Sequence, residues 1–277
     1  MTDLSATLAN ASNPFNDVAR PAEGDDRYWS VTTIIGALDK PALAYWAAEQ
    51  AAIAACDIAK SLPTRIVEEG RDSVVKYLRD ARFRTRKTKT RTAAELGTAV
   101  HDACEQFALT GQRPEVDAEV SPFLDGFEAW CDEWQPQYIA AEMSVYSPRY
   151  RFAGTLDAIL TVRGTRVIVD YKTSKAIYPE VALQLAAYRH AELAAVWRAR
   201  RFEQFRRRYY LLNADEAASA ASVPEVDGGL ALHLTPGKCR AYTVQCDETV
   251  FAAFLHITEA ARWQFDTSKT VIGEELS

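Results

Sequence analysis

The segment Gly154-Thr-Leu-Asp-Ala-Ile-Leu-Thr-Val-Arg-Gly-Thr-Arg-Val-Ile-Val-Asp-Tyr-Lys172 constrains this chain more than any other. Apart from its acids, it is two β-branched and apolar runs, Thr155 to Val162 and Val167 to Tyr171, separated by Arg163-Gly164, which supplies the glycine a two-residue hairpin turn wants. With the turn centred between Arg163 and Gly164, opposed residues have numbers that sum to 327, and Asp157 then faces Asp170 directly. Directly opposed Cβ atoms lie roughly 4.5–5.5 Å apart, and like charges placed there are destabilising. Lys172 projects from the same face as Asp170 but about 7 Å along the strand, so it compensates only in part. Two carboxylates and one ammonium make an oxygen-rich pocket for a hard divalent cation, Mg²⁺ or Mn²⁺. A strand face with solvated charges is the alternative that the hairpin alone leaves open.

The chain of 277 residues is 48% hydrophobic and 10% aromatic, enough for one large packed domain. Its five cysteines, at 56, 104, 131, 239 and 246, form no C-x-x-C pair, and the odd count argues for reduced, buried thiols over a disulfide framework. No run of about 18 apolar residues occurs and the N-terminus lacks the pattern of an export signal, so the expected location is the cytoplasm, with no membrane partner. The net charge of -6 argues at first against nucleic acid, but the charge is unevenly spread. Arg79, Arg82, Arg84, Arg86, Lys87, Lys89 and Arg91 are interleaved with threonines, the mix of cations and neutral donors that positions a phosphate backbone. Arg198, Arg200, Arg201, Arg206, Arg207 and Arg208 form a second cluster, for which a solvated charge run is as good a reading.

Along the chain, residues 1–28 are polar and broken by prolines, which predicts a loosely ordered arm before a single domain over 29–277. An alanine-rich helix carries Tyr45 and Trp46, and a further helix is expected from Pro63 to Arg82. Thr92-Ala-Ala-Glu95 matches a capping box and opens a helix with Leu96, Val100, Ala103, Cys104 and Phe107 on one face and His101 and Glu105 along its edge. A helix over Ser121 to Trp134 and a strand near Glu142 to Tyr146 lead into the hairpin, which makes Glu142 a neighbour of the acidic pair. Pro179 then starts a helix in which Val181, Gln184, Leu185 and Tyr188 share a face. An amide in an apolar stripe is costly unless hydrogen-bonded, so Gln184 is expected to point at polar groups beside the sheet. Arg207 to Leu212 reads as a strand and Asn213 to Gly229 as a surface excursion. Leu230–Thr235 and Cys239–Val244 read as a second hairpin turning at Pro236-Gly237, before a final amphipathic helix with Phe251, Phe254, Leu255, Ile257 and Trp263.

The ordered set of a helical His101, Asp157, Asp170-x-Lys172 and Gln184-x-x-x-Tyr188 resembles the RecB-type branch of the PD-(D/E)xK nuclease superfamily. The resemblance implies an α/β, restriction-endonuclease-like core over about 92–212, ordered helix, three antiparallel strands, helix, strand. Helices are added before this core, and a hairpin plus helix after it. It also implies roles. Asp157, Asp170, His101 and the backbone carbonyl of Tyr171 would bind the metal, and the imidazole makes Mn²⁺ plausible beside Mg²⁺. Lys172 would orient or deprotonate the attacking water and offset phosphorane charge. Gln184 would brace Lys172 or the water, Tyr188 would touch the DNA or support its helix, and Glu105 could reach the site as an outer group.

The activity implied is metal-dependent cleavage of DNA, linear duplex or single-stranded, with 5′-phosphate products, by an exonuclease of recombination, repair or phage replication in a bacterial or phage-infected cytoplasm. Arg82, Arg84, Arg86, Lys87, Lys89 and Arg91 would hold the backbone. A homo-oligomer and a single-strand-annealing or recombination partner belong to the same picture. The chain departs from the iron-sulfur members, since beyond the Gln-x-x-x-Tyr helix it has only Cys239 and Cys246, so no iron-sulfur cluster is expected. Leu156 stands where the family name has proline, and no Walker sequence occurs, so no ATP hydrolysis is expected. The rival readings are an endonuclease of the same fold, a catalytically silent DNA-binding subunit, and an enzyme acting on another phosphate ester such as a nucleotide.

Overall fold

The computed structural model describes residues 27–38, 41–81, 93–195, 209–211 and 221–273. In chain order the elements begin with β1 (Arg27–Ser30), α1 (Val31–Ile35), α2 (Pro41–Asp57), α3 (Leu62–Glu69), α4 (Arg71–Arg79), α5 (Ala93–Thr110) and α6 (Ser121–Trp134). The central hairpins come next as β2 (Gln137–Ser147), β3 (Phe152–Val162) and β4 (Thr165–Lys172), then α7 (Glu180–Arg189). The chain closes with β5 (Leu193–Ala195), β6 (Tyr209–Leu211), β7 (Ala221–Ser222), β8 (Gly228–Thr235), β9 (Lys238–Val244) and α8 (Glu248–Phe265). These elements separate into two compact units, the described residues of Asp39–Ala99 and those of Met1–Leu38 with Val100–Ser277.

The smaller unit is helical. The helix expected from Pro63 to Arg82 is split at Gly70, where φ is 81°, into α3 and α4. Val74 and Ala81 are buried there, while Tyr45, Ile53 and Val67 face solvent. Arg79 is described, but Arg82, Arg84, Arg86, Lys87, Lys89 and Arg91 lie outside the described residues, as does the second arginine cluster.

The larger unit is a mixed sheet flanked by helices. Nine strands of the described residues form it, with β7-β5-β2-β3-β4-β8-β9 as the main path and β1 joining β3 and β6. β2, β3 and β4 are antiparallel neighbours, as the sequence predicts. The strand that flanks β4 on its other side is β8, parallel to it and reached after α7. The strand expected over Arg207 to Leu212 does form in part, as β6, but it pairs with β1 and does not complete the core beside β4. The core therefore extends to Thr235, because the segment read as a surface excursion delivers the chain to β8. The fold starts earlier than expected as well. Tyr28 is buried, with Tyr146 edge-on at 5.6 Å and the Arg151 guanidinium over its ring.

Apolar burial holds the sheet between two helical layers, each fully buried large side chain contributing about 1.5–3 kcal/mol. On one side Ile159, Ile168 and Leu156 pack with Leu185 of α7, Phe254 of α8 and Ile34 of α1. Elsewhere Tyr171 meets Phe127 of α6 at 5.5 Å between ring centroids and His101 of α5 at 5.7 Å. Cys104, Cys131 and Cys246 are buried as expected of reduced thiols, whereas Cys56 is exposed on α2; all five cysteines are free. Among the described residues no helix is long and apolar enough to cross a membrane.

Candidate active site

The hairpin turn forms at Arg163 and Gly164 with φ of 49° and 82°, the left-handed pair that a type I′ connection needs. Val162 pairs with Thr165, and the register holds through Ala158↔Val169, every pair summing to 327. There the ladder stops. In an antiparallel ladder the Tyr171 amide would next bond to the Leu156 carbonyl. It donates instead to the Asp157 side chain, at 2.6 Å from Oδ2. Asp157 therefore faces Asp170 by count but is not a ladder partner; its carboxylate occupies the position where backbone pairing gives way.

The β2–β3 ladder passes the same point. Ala141↔Ala158 and Met143↔Leu156 are register partners on either side of Glu142 and Asp157, and Glu142 has φ of 47°. A left-handed glutamate costs about 1–2 kcal/mol, a strain that is typical of functional sites. Glu142, His101 and Asp157 each offer a ligand atom, and these atoms all lie within 4.8 Å of one another. The His101 Nδ1 is 3.5 Å from Asp157 Oδ1. The position of Glu142 opposite Asp157 is set by the turn after Ser147, where the Arg151 amide donates to the Ser147 carbonyl and the Tyr150 amide to the Ser147 hydroxyl. Ser147-Pro148 signals a bend there, but the left-handed residue of the turn is Arg151, with φ of 60°, and not a glycine, so the sequence does not mark the register.

Asp170 lies deepest, 2% exposed. Lys172 does not stand away along the strand as its spacing suggests. The long side chain turns back and sets Nζ 2.5 Å from Asp170 Oδ2, as an ion pair without the directionality of a hydrogen bond. Nζ also donates to Gln184 Oε1 at 3.2 Å, and Gln184 Nε2 donates to the Tyr188 hydroxyl at 3.5 Å. Tyr188 is 3% exposed, too deep to touch a DNA strand, and its ring lies against Gly154. A Cβ at Gly154 would sit 2.6 Å from Tyr188 Cε1 and 2.9 Å from its hydroxyl, so this close approach requires glycine. Glu105, one turn beyond His101, is half-buried and stands outside the group of converging ligand atoms.

The electrostatics reflect this crowding. Burial first, and then the charge of Asp157, push the Asp170 carboxyl up to about 6 against the pull of Lys172 and His101. Burial alone would lower the imidazole of His101, but its hydrogen bond to Asp157 and the charges of Asp157 and Asp170 outweigh burial and raise it. The site thus gathers the carboxylates of Glu142, Asp157 and Asp170 and the imidazole of His101 beside the ammonium of Lys172.

A divalent cation fits this arrangement. His101, Glu142 and Asp157 supply one nitrogen and two hard oxygen donors, the set that suits Mg²⁺ or Mn²⁺. Asp170 adds a buried carboxylate paired with Lys172. The sequence pattern brings His101, Asp157, Asp170, Lys172, Gln184 and Tyr188 to one place, and so does the structure. It gives Glu142 too little weight.

A sheet that opens a ladder to gather acids, with a lysine braced beside them, is the construction of a metal-dependent nuclease. The family description of the PD-(D/E)XK nuclease superfamily matches residues 120–266, more than half of the chain, and the chain belongs to that superfamily. The matched span runs from α6 through α8 and leaves out His101. No curated protein matches the chain.

Proposed function

We propose that the chain is a Mg²⁺- or Mn²⁺-dependent deoxyribonuclease of the RecB-type branch. It acts as an exonuclease on linear DNA, leaves 5′-phosphates, and serves recombination, repair or phage replication in the cytoplasm of a bacterium or infected host. The observation that carries this reading is the convergence of His101, Glu142 and Asp157 beside the Asp170–Lys172 pair. The cation would be held by those first three residues, with Asp170 and the Tyr171 carbonyl as further donors. When bound, it supplies a lowered water pKa and polarisation of a phosphoryl oxygen.

The protein's own groups do the rest. Lys172 presents a compact ammonium where negative charge grows on the phosphoryl group, and Gln184 holds it there through Oε1. Tyr188 fixes the amide so that its oxygen faces the ammonium. Gln184 and Tyr188 are positioning residues, and the Gly154–Tyr188 contact anchors them both. The run Arg82, Arg84, Arg86, Lys87, Lys89 and Arg91 would contact phosphates without reading sequence. Substituting Arg84, Arg86 and Lys87 together by Ala is expected to weaken binding of all DNA alike and flatten its salt dependence.

The test is incubation with end-labelled linear and closed circular DNA in Mg²⁺ or Mn²⁺, with an EDTA control. Cleavage of linear DNA alone, abolished by EDTA, is the expected result. Cutting of the circle would make the chain an endonuclease, and binding without metal-dependent cutting would make it a silent subunit.

A further inference from the structure

Lys172 leads directly into the connection Thr173-Ser-Lys-Ala-Ile-Tyr-Pro179 before α7. One bond ties this connection to the sheet, and two more fold it locally. His233 of β8, 7% exposed, lies beside Lys172 in parallel register, with Nε2 2.7 Å from the Ser174 carbonyl. An imidazole protonated at Nε2 donates to that carbonyl. The Ser174 hydroxyl donates to the Ala176 carbonyl at 2.6 Å, and the Tyr178 carbonyl accepts from the Val181 amide at the start of α7.

Lys175, Ala176, Tyr178 and Pro179 of the connection face solvent, and the two large side chains among them are Tyr178, 55% exposed, and Lys175. No acid occurs between Asp170 and Glu180, although outside residues 39–99 the chain carries 30 Asp and Glu against 20 Lys and Arg. An acid-free, cationic stretch that directly follows Lys172 is thus out of keeping with the unit around it. Tyr178 lies two residues before α7, the helix whose Gln184 accepts from Lys172.

We infer that this connection is a nucleobase platform. Tyr178 stacks an unpaired base of the strand being cut, Lys175 meets a neighbouring phosphate, and His233 is the positioning residue that keeps both in place. A lone exposed aromatic is common on any surface. This one follows by four residues a carbonyl held by a buried imidazole from the strand next to Lys172, and its own carbonyl accepts from the Val181 amide at the start of α7. Stacking on an aromatic face is indifferent to base identity, which suits a substrate recognised by strand and not by sequence. The inference rests on the nuclease reading and narrows its substrate to DNA with a single-stranded segment at the site.

The experiment titrates the full chain, in EDTA to prevent cutting, into a single-stranded oligonucleotide carrying 2-aminopurine, and separately measures kcat and KM in Mg²⁺. Wild-type protein should quench the probe. Tyr178→Ala should lose the quench and raise Kd and KM about tenfold or more, with kcat within about twofold, and Tyr178→Trp should restore both. His233→Ala should weaken the quench with KM rising more than kcat falls, and His233→Gln, which keeps a donor, should recover it. If His233→Ala fails to fold, the Tyr178 pair decides, since that ring supports little packing. Wild-type quenching and KM in Tyr178→Ala would overturn the platform while leaving a cutting enzyme intact. Failure of the wild type to bind or cut DNA at all would overturn the nuclease reading and the platform with it.

Discussion

Two hairpins stand side by side in this sheet, and they end differently. β8–β9 is zipped from Thr235↔Lys238 to Gly229↔Val244 without a gap. β3–β4 is zipped only from Val162↔Thr165 to Ala158↔Val169, after which the Tyr171 amide turns to a carboxylate. Both start from a tight turn and both alternate apolar residues, so the difference lies at the end away from the turn. In the first hairpin the backbone satisfies itself. In the second it spends a hydrogen bond on holding Asp157, and the opened space holds the charges that chemistry needs.

The largest effect that would break this contrast is on Asp170. Asp170→Ala is expected to lower cleavage of linear DNA more than about a thousandfold, the scale of several kcal/mol of charge stabilisation. DNA binding in a gel-shift assay should remain or tighten, since a negative charge is lost near the phosphate. Persistent cutting would remove Asp170 from the machinery.

Next in size is Gly154→Ala. The added methyl meets the Tyr188 ring, and overpacking of this kind costs about 1–3 kcal/mol. A fall in the melting midpoint of several degrees is expected, together with a lower kcat at nearly unchanged KM, because the disturbance reaches Lys172 through Gln184. A variant with wild-type kcat would show that the bracing chain does not matter.

The same contrast separates the features that are legible in the sequence from those that are not. The two turns and the register of β3–β4 are readable because glycine marks the turn and the side-chain period is fixed at two. The fold-back of Lys172 is not, because strand spacing places a Cβ and says nothing about a flexible four-carbon stem. Glu142 can be named but not weighed, because its register hangs on the turn after Ser147, which carries no glycine to announce it. The identity of the strand beside β4 is easily misread, because a parallel neighbour can return after any length of chain and Arg207 to Leu212 looks as strand-like as Gly228–Thr235. His101 is recovered only through the order of motifs, since an imidazole at the edge of a helix face has no periodic signature of its own.

A smaller effect concerns pH. The Asp170 carboxyl is raised in the folded, metal-free chain to about 6. A raised acid contributes stability that is complete below its unfolded value near 4 and is lost as pH climbs through about 6. Asp170→Asn carries no such charge, so its melting midpoint relative to wild type should improve between pH 5 and pH 8. Metal affinity should move the opposite way in wild type, weakening as pH falls through about 6, because His101 and the carboxylates must shed protons to bind. A flat difference in melting across that window, measured by scanning calorimetry in EDTA, would contradict the burial described for Asp170.

The smallest effect is expected in the zipped hairpin. Thr243→Asp adds a charge to the exposed side of β9, where stability should shift by no more than about 0.5 kcal/mol and cleavage should be unaltered. Loss of activity there would mean that the sheet edge takes part in the reaction.

β4 runs through the interior of the sheet, and where its pairing with β3 stops at Val169 the ladder to β8 continues through Asp170, Tyr171 and Lys172, so the end that bears the acid and the ammonium is still held by backbone pairing. An incoming ion would therefore dock into scaffolding that is already rigid. Capture should show a heat-capacity change close to zero by titration calorimetry, unlike proteins whose metal drives them to fold.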